Sequence, residues 1–175
     1  DALTNWDNTW ICRAKGVMSA KRTGLPKDTP VTFVGISGGS NPDPIAETIR
    51  SGGNFSDGLL QHREVPTRLS KVLAMVHCKS SDAPGYAIYE AMASACPVVC
   101  TRRLIWKCRM EELLIPEQTC LVFDREGHEG LSDEDVKQCT REVGDALSHL
   151  SNPENNRRIG EAGRKRLREL MWSTE

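Results

Sequence analysis

The sequence predicts an α/β domain built on a doubly wound parallel sheet. Three observations lead there. Short continuous apolar runs recur between polar or Gly-rich turns, among them "VTFVG" (31–35), "AMVHC" (74–78), "PVVC" (97–100) and "CLVF" (120–123), and an uninterrupted apolar strand is one buried on both faces of its sheet. Helix-like segments lie between these runs, the crossover connection that parallel strands need. The chain has 175 residues, enough for a single domain with a real core.

Taken in order, residues 1–8 show neither a strand nor a helix period and read as an interdomain linker. "TWIC" (9–12) is the first strand and "VTFVG" the second. The Gly-rich connection "GISGGSNPDP" (35–44) then leads into a helix from Pro44 to Ile49. It lacks the glycine spacing of a dinucleotide site and the lysine of a P-loop, so a flexible turn is as good a reading as a binding loop. "GLL" (58–60) is a third strand, Thr67 to Leu73 a helix, and "AMVHC" a fourth strand. A helix from Tyr86 to Ala95, the strand "PVVC", a helix over about Trp106 to Leu114 and the strand "CLVF" complete the series. Residues 132–172 read as two terminal helices of the same 1–175 domain. The first opens with Ser132 as N-cap and Asp135 in the acidic position of a capping box, followed by Val136, Cys139, Val143, Leu147 and Leu150 at helical spacing. The second carries Ile159, Leu167, Leu170 and Met171 on its apolar side.

Composition removes several classes of function. Lys and Arg total 23 against 24 Asp and Glu, a net charge of −1, so no overall charge directs the chain to nucleic acid or an anionic membrane. Arg157, Arg158, Arg164, Lys165 and Arg168 cluster in the last helix, but Glu161 and Glu169 interleave them, the pattern of a solvated helix face. Apolar runs such as "VLAMV" are far shorter than a membrane span. No basic-then-apolar leader opens the chain, which begins at Asp1 and reads as a fragment. The cysteines at 12, 78, 96, 100, 108, 120 and 139 are odd in number and form no C-x-x-C pair, against both a disulfide framework and a zinc knuckle. Most stand in apolar runs, as small buried hydrophobes do, and a reducing, cytoplasmic compartment is expected. His77 lies in an apolar strand and reads as a core histidine, while His128 and His149 form no metal spacing with any cysteine. Trp6 and Trp10 read as packing residues, and Trp106 as a loop residue facing a cleft.

The chemistry concentrates in "SDAPGYAIYEAMASACPVV" (81–99). Pro84 and Gly85 make a turn that excludes helix, so Asp82 stands in a loop. Glu90 falls in the early turns of the helix that begins near Tyr86. In an open α/β sheet, ligands bind outside the carboxyl ends of the strands, where such loops meet helix starts. Free N–H groups at Gly85, Tyr86 and Ala87 suit an anion such as a diphosphate, and Gly85 lets it approach the backbone. The two carboxylates would repel phosphate and are better placed to accept hydrogen bonds from vicinal hydroxyls, the feature common to ribose and hexoses. Two acids near a helix start also occur for the dipole alone.

The same segment resembles the signature of retaining glycosyltransferases of the GT-B fold, in the large family four: an acid, seven residues, Glu, Ala-Met-Ala, a small residue and Pro-Val-Val. "VTFVG", "REVPTRLSKVLAMVHCKSS", "MEELLIPEQTCLVFD" and "LSNPENNRRIGEAGRKRLRELMW" resemble further family segments, so the likeness spans about residues 30–172. It implies a Rossmann-like domain forming one half of a GT-B fold, the half that binds a nucleoside-diphosphate sugar. By position, the resemblance gives Asp82 the donor sugar's hydroxyls and the catalytic role. Glu90 would take the ribose hydroxyls, and the Gly85, Tyr86 and Ala87 amides the diphosphate and sugar. His62 and Arg63 lie where the family meets the base. Arg13 and Lys15 are the candidates for the basic pair on the diphosphate, and Glu112, in preference to Glu111, for the acid of the next loop.

Three departures stand out. Asp82 replaces the usual Glu, Ala95 replaces a usual Gly, which reads as a mild packing change, and "TRRLIWKCRMEE" (101–112) replaces a shorter Gly-rich loop. The resemblance implies transfer of a sugar to an acceptor held mainly by a missing N-terminal domain, without a cofactor, and without a metal because helix amides and basic groups would stabilise the leaving diphosphate. The isolated chain is expected to bind nucleoside diphosphate weakly and to transfer nothing. A nucleotide-sugar epimerase of the same fold and a non-catalytic nucleotide-sugar-binding module are the alternatives, which fold alone does not separate.

Overall fold

A computed structural model describes residues 32–35, 54–57, 61–77, 86–125 and 132–172. The expected strand "TWIC", the helix Pro44 to Ile49 and the strand "GLL" lie outside them. Within them the elements run β1 (Thr32–Gly35), β2 (Asn54–Asp57), α1 (Val65–Leu69), β3 (Met75–His77), α2 (Tyr86–Ala93), β4 (Val98–Thr101), α3 (Arg102–Lys107), β5 (Leu121–Phe123), α4 (Asp133–Ser151) and α5 (Pro153–Trp172). Two parallel sheets result: β1 pairs with β2, and β3, β4 and β5 lie side by side in that order. In the second sheet Val76 stands opposite Val99, and Cys100 opposite Val122. The architecture is mixed α/β with parallel strands, as the alternation of runs and helices predicts. The three described strands of the second sheet follow chain order, and the reversal of strand order that defines double winding is not among them.

Alternation along β4 divides the core in two. Val98 and Cys100 face one way, with Val122 of β5, and pack against Ile88, Ala91 and Met92 of α2, Leu104 and Ile105 of α3 and Leu167 of α5. Val99, with Leu121 and Phe123, faces the other way onto Cys139, Val143, Leu147 and Leu150 of α4 and Ile159 of α5. A strand with apolar side chains on both faces needs helices on both. All four residues of β4 are buried.

The terminal helices form much as expected. Ser132 Oγ accepts from the Asp135 N–H at 3.1 Å, and Asp135 Oδ2 accepts from the Ser132 N–H at 3.2 Å, a complete capping box. Cys139, Val143, Leu147 and Leu150 are buried along one stripe. On α5 the basic residues face solvent and meet acids: Arg164 pairs with Glu161 at 2.6 Å, and Arg166 with Glu169 at 3.4 Å. That is the solvated face the interleaved charges predict. Met171, expected on the apolar side, is exposed; the stripe ends with the half-buried Leu170.

Four boundaries differ, each for a local reason. Helix α1 starts earlier than Thr67, because Pro66 sits in its first turn, where the missing N–H costs nothing, and it stops at Leu69. Asn54–Asp57 is a strand despite its polar sequence, held by backbone pairing with β1. The helix expected over Trp106 to Leu114 lies instead at Arg102–Lys107, because Thr101 ends β4 and at once caps α3, its Oγ1 accepting from the Leu104 N–H at 3.1 Å. Trp106 is therefore on a helix, not in a loop, and is 69% exposed.

The fourth is the end of α2. The helix stops at Ala93, and Ala95 takes a left-handed φ of 53°. The Cys96 N–H bonds the Ala91 carbonyl at 2.9 Å and the Ala95 N–H bonds the Met92 carbonyl at 3.0 Å, a Schellman ending in which Gly is the usual residue. The Ala95 departure is thus a change of backbone strain, not the mild change of packing that the sequence suggests.

Helix α5 crosses the amino ends of the second sheet's strands one after another. Asn156 Nδ2 donates to the Leu73 carbonyl at 2.7 Å, just ahead of β3. Next, Gly160 lies so close to the Ala95 carbonyl oxygen that a β-carbon there would collide with it. A β-carbon on Gly163 would stand 3.2 Å from the Thr119 carbonyl oxygen, ahead of β5. These contacts seal that edge at the level of the backbone.

Candidate functional site

The opposite, carboxyl edge carries the candidate site. Helices that connect parallel strands run against them, so the starts of α1 and α2 both lie at this edge. The two helices pack together. Ile88, Ala91 and Met92 bury one side of α2. Glu90 is left on the other side, half-buried, one turn beyond Tyr86, which is 81% exposed.

The turn before α1 is closed by the Glu64 N–H on the Gln61 carbonyl at 2.8 Å. It carries His62 to Glu90, with His62 Nδ1 lying 3.1 Å from Glu90 Oε1. The imidazole is 88% exposed and the carboxylate 28%. Among the sequence candidates, then, the structure unites Glu90 and His62, with Tyr86 and Ala87 in the first turn of the same helix. Arg63 stands on the His62 turn with its side chain in solvent. The Tyr86 and Ala87 N–H groups fall in the first turn of α2, where the helix itself offers no acceptor.

Glu112 is placed differently. It sits on the turn after α3, and its carbonyl accepts from Arg166 Nε at 2.6 Å. That contact ties the turn to α5, on the side of the sheet that α5 covers. Asp82, Gly85, Arg13 and Lys15 lie outside the described residues.

Sequence reasoning missed Asp124, a fully buried acid directly after β5, with a left-handed φ of 58°. Its signal was an acid closing an apolar run, "CLVFD". Beside it, buried Glu142 of α4 accepts from Gln138 Nε2 at 2.7 Å and from the Arg125 N–H at 3.1 Å, so its charge is compensated by donors.

Among the described residues Cys96, Cys100, Cys108, Cys120 and Cys139 stand outside any disulfide, and all but the half-buried Cys108 are buried. Burial pushes the Cys96 thiol from 9.0 up to about 11, against a smaller opposing pull from a hydrogen bond with the Met75 backbone. Cys100 is raised well above its ordinary value, first by a hydrogen bond with Cys120 and then by burial. Thiols held protonated in this way are poor nucleophiles and poor metal ligands. Among the described residues no group of three or more His, Cys, Asp and Glu side chains is arranged to hold a metal ion. No described helix is long and apolar enough to cross a membrane. No protein-family model matches the chain, and no curated protein matches it.

Proposed function

We propose that this chain is the donor-binding domain of a retaining, metal-independent glycosyltransferase with a Rossmann-like doubly wound core, one half of a GT-B fold. The observation that carries the reading is Glu90. A half-buried carboxylate rises from the start of α2, at the carboxyl edge of a parallel sheet, beside helix-start amides. Such an acceptor fits a ribose diol, because both its oxygens take O–H donors. The amides of Tyr86 and Ala87 are suited to a diphosphate. Asp82 precedes them in sequence and would accept the donor sugar's hydroxyls.

In the reaction the acceptor's hydroxyl oxygen bonds to the anomeric carbon as the bond from that carbon to the diphosphate oxygen breaks, and the hydroxyl proton passes to that departing oxygen. The electron pair leaves with the diphosphate, and donors already aimed at that oxygen stabilise it without reorganising. An N-terminal domain would hold the acceptor, and closure of the two domains would align the reacting atoms and exclude water. A cytoplasmic location belongs to the same proposal, supported by described cysteines that stand outside any disulfide.

The test is a thermal-shift panel on the 175-residue chain, with uridine, guanosine and adenosine diphosphates and their sugar conjugates. A ligand that binds the folded state raises Tm in proportion to RT ln(1 + [L]/Kd). One nucleoside diphosphate and its sugar conjugates are expected to raise Tm, with the other bases inert. No shift with any member of the panel would sink the reading.

A further inference from the structure

We infer that His62 is a positioning residue for Glu90, and not the base contact that the family resemblance implies. The inference rests on reading Glu90 as the acceptor of the ribose diol. A glutamate carboxylate turns almost freely about its last torsion. A diol, however, presents two donors in a fixed relation, and the acceptor is best when its plane is already set. His62 supplies that constraint, with Nδ1 3.1 Å from Oε1. The imidazole occupies one lone pair of Oε1, leaving Oε2 and the second lone pair of Oε1 for hydroxyl donors.

The backbone that carries the ring is fixed by its own hydrogen bonds. The turn carrying it is closed by the Glu64 N–H on the Gln61 carbonyl at 2.8 Å and continues into α1 through the Arg68 N–H on the Glu64 carbonyl at 3.1 Å. A contact this exposed contributes little to folding. Its consequence is the orientation of the carboxylate at the place where a ligand would meet it.

The experiment is calorimetry with the nucleoside diphosphate that the thermal-shift panel selects and with its 2′-deoxy counterpart, on wild type, His62→Ala and His62→Asn. The amide nitrogen of Asn falls where Nδ1 of His would be, so His62→Asn keeps the donor and removes most of the ring. Wild type is expected to prefer the ribo form by about tenfold, the worth of one hydroxyl bond to a carboxylate. His62→Ala is expected to lose about two- to fivefold for the ribo form, the scale of one exposed pair, with the deoxy form nearly unchanged. His62→Asn is expected to restore most of that loss. Melting temperatures of all three should agree, since the residue is exposed.

Undiminished ribo affinity in His62→Ala overturns the inference, and so does an equal loss for both forms, which would make His62 a contact to the base. A wild type that binds both forms equally overturns the reading of Glu90 itself, and is distinguishable because it appears before any variant is made.

Discussion

The two ends of the three-stranded sheet are built on opposite principles. At the amino end α5 meets the chain ahead of β3, β4 and β5 in turn, through Asn156, Gly160 and Gly163, at separations that admit no added side chain at Gly160. At the carboxyl end the starts of α1 and α2 present Tyr86, Glu90 and His62, with the tyrosine and the imidazole largely in solvent. One end packs small residues and an asparagine against backbone carbonyls. The other keeps polar side chains where a ligand would find them. Under the proposed function, stability and recognition are separated along the strand axis, so substitutions at one end should leave the other intact.

The sharpest way to break that separation is Gly160→Ala. The new methyl would meet the Ala95 carbonyl oxygen, a backbone atom that cannot rotate away, so α5 must shift from the edge it seals. The cost should be about 3 kcal/mol, the upper part of the range for overpacking, partly offset by about 1 kcal/mol of helix propensity. Gly163→Ala is the control. Its methyl would stand 3.2 Å from the Thr119 carbonyl oxygen and 3.3 Å from Met92 Cε, the end of a flexible side chain, so propensity and crowding should nearly cancel. Urea denaturation of both variants measures the difference, and equal midpoints would show that α5 does not seal the edge.

Glu90→Gln is the matching test at the carboxyl end. It removes the charge and keeps the shape, so the melting temperature should hold while nucleoside-diphosphate affinity falls about ten- to a hundredfold, as for loss of a hydrogen bond to a charged group. A variant that loses stability and keeps affinity would invert the comparison.

How far the sequence reveals this division depends on the range of the interaction. β3, β4, β5 and α4 are legible because continuous apolar runs and a capping box are local signals. α3 is misplaced because Thr101 serves as both strand end and N-cap, and nothing in "VVCTRRLIW" marks where one role stops. The sealed edge is missed altogether. Gly160 and Gly163 read as ordinary helix interior, although two glycines three apart, each unfavourable in a helix by about 1 kcal/mol, are themselves a signal of close approach. At the candidate site, the placement of Glu90 in the early turns of α2 is legible from its segment. Its partner is not, because the contact from His62 depends on α1 packing beside α2, a tertiary fact with no local trace.

Cys96 gives the amino end a pH handle. Its thiol is raised from 9.0 to about 11, chiefly by burial. The unfolded chain therefore ionises first: stability is unaffected below about pH 9 and falls as pH rises from about 9 to 11. At about pH 10 this one group should cost about 1.4 kcal/mol relative to neutral pH. Cys96→Ala removes that component, so its loss of stability between about pH 8 and pH 10 should be smaller than that of wild type. Any cost of the substitution itself appears at both pH values and cancels. Parallel pH profiles would mean that the thiol ionises as readily folded as unfolded.

The smallest expected effect has the opposite sign. Ala95 holds φ at 53° to end α2 and to offer the carbonyl that Gly160 packs against. An L residue in that region carries about 1–2 kcal/mol of strain from its β-carbon, which Gly does not. Ala95→Gly relieves the strain but loosens the unfolded chain, which returns about 0.4–1 kcal/mol. The difference leaves a net gain of about 0.5–1 kcal/mol. The Schellman bonds from Cys96 to Ala91 and from Ala95 to Met92 involve only backbone and survive the change. Nucleotide affinity should not move, because the substitution acts at the sealed end, while Glu90 and His62 sit at the other. Urea denaturation gives the first quantity and calorimetry the second. A lower denaturation midpoint would show that the Ala95 methyl group packs more favourably than its backbone is strained. A changed affinity would show that the two ends of the sheet communicate through α2, and the separation of stability from recognition would fail at the one helix they share.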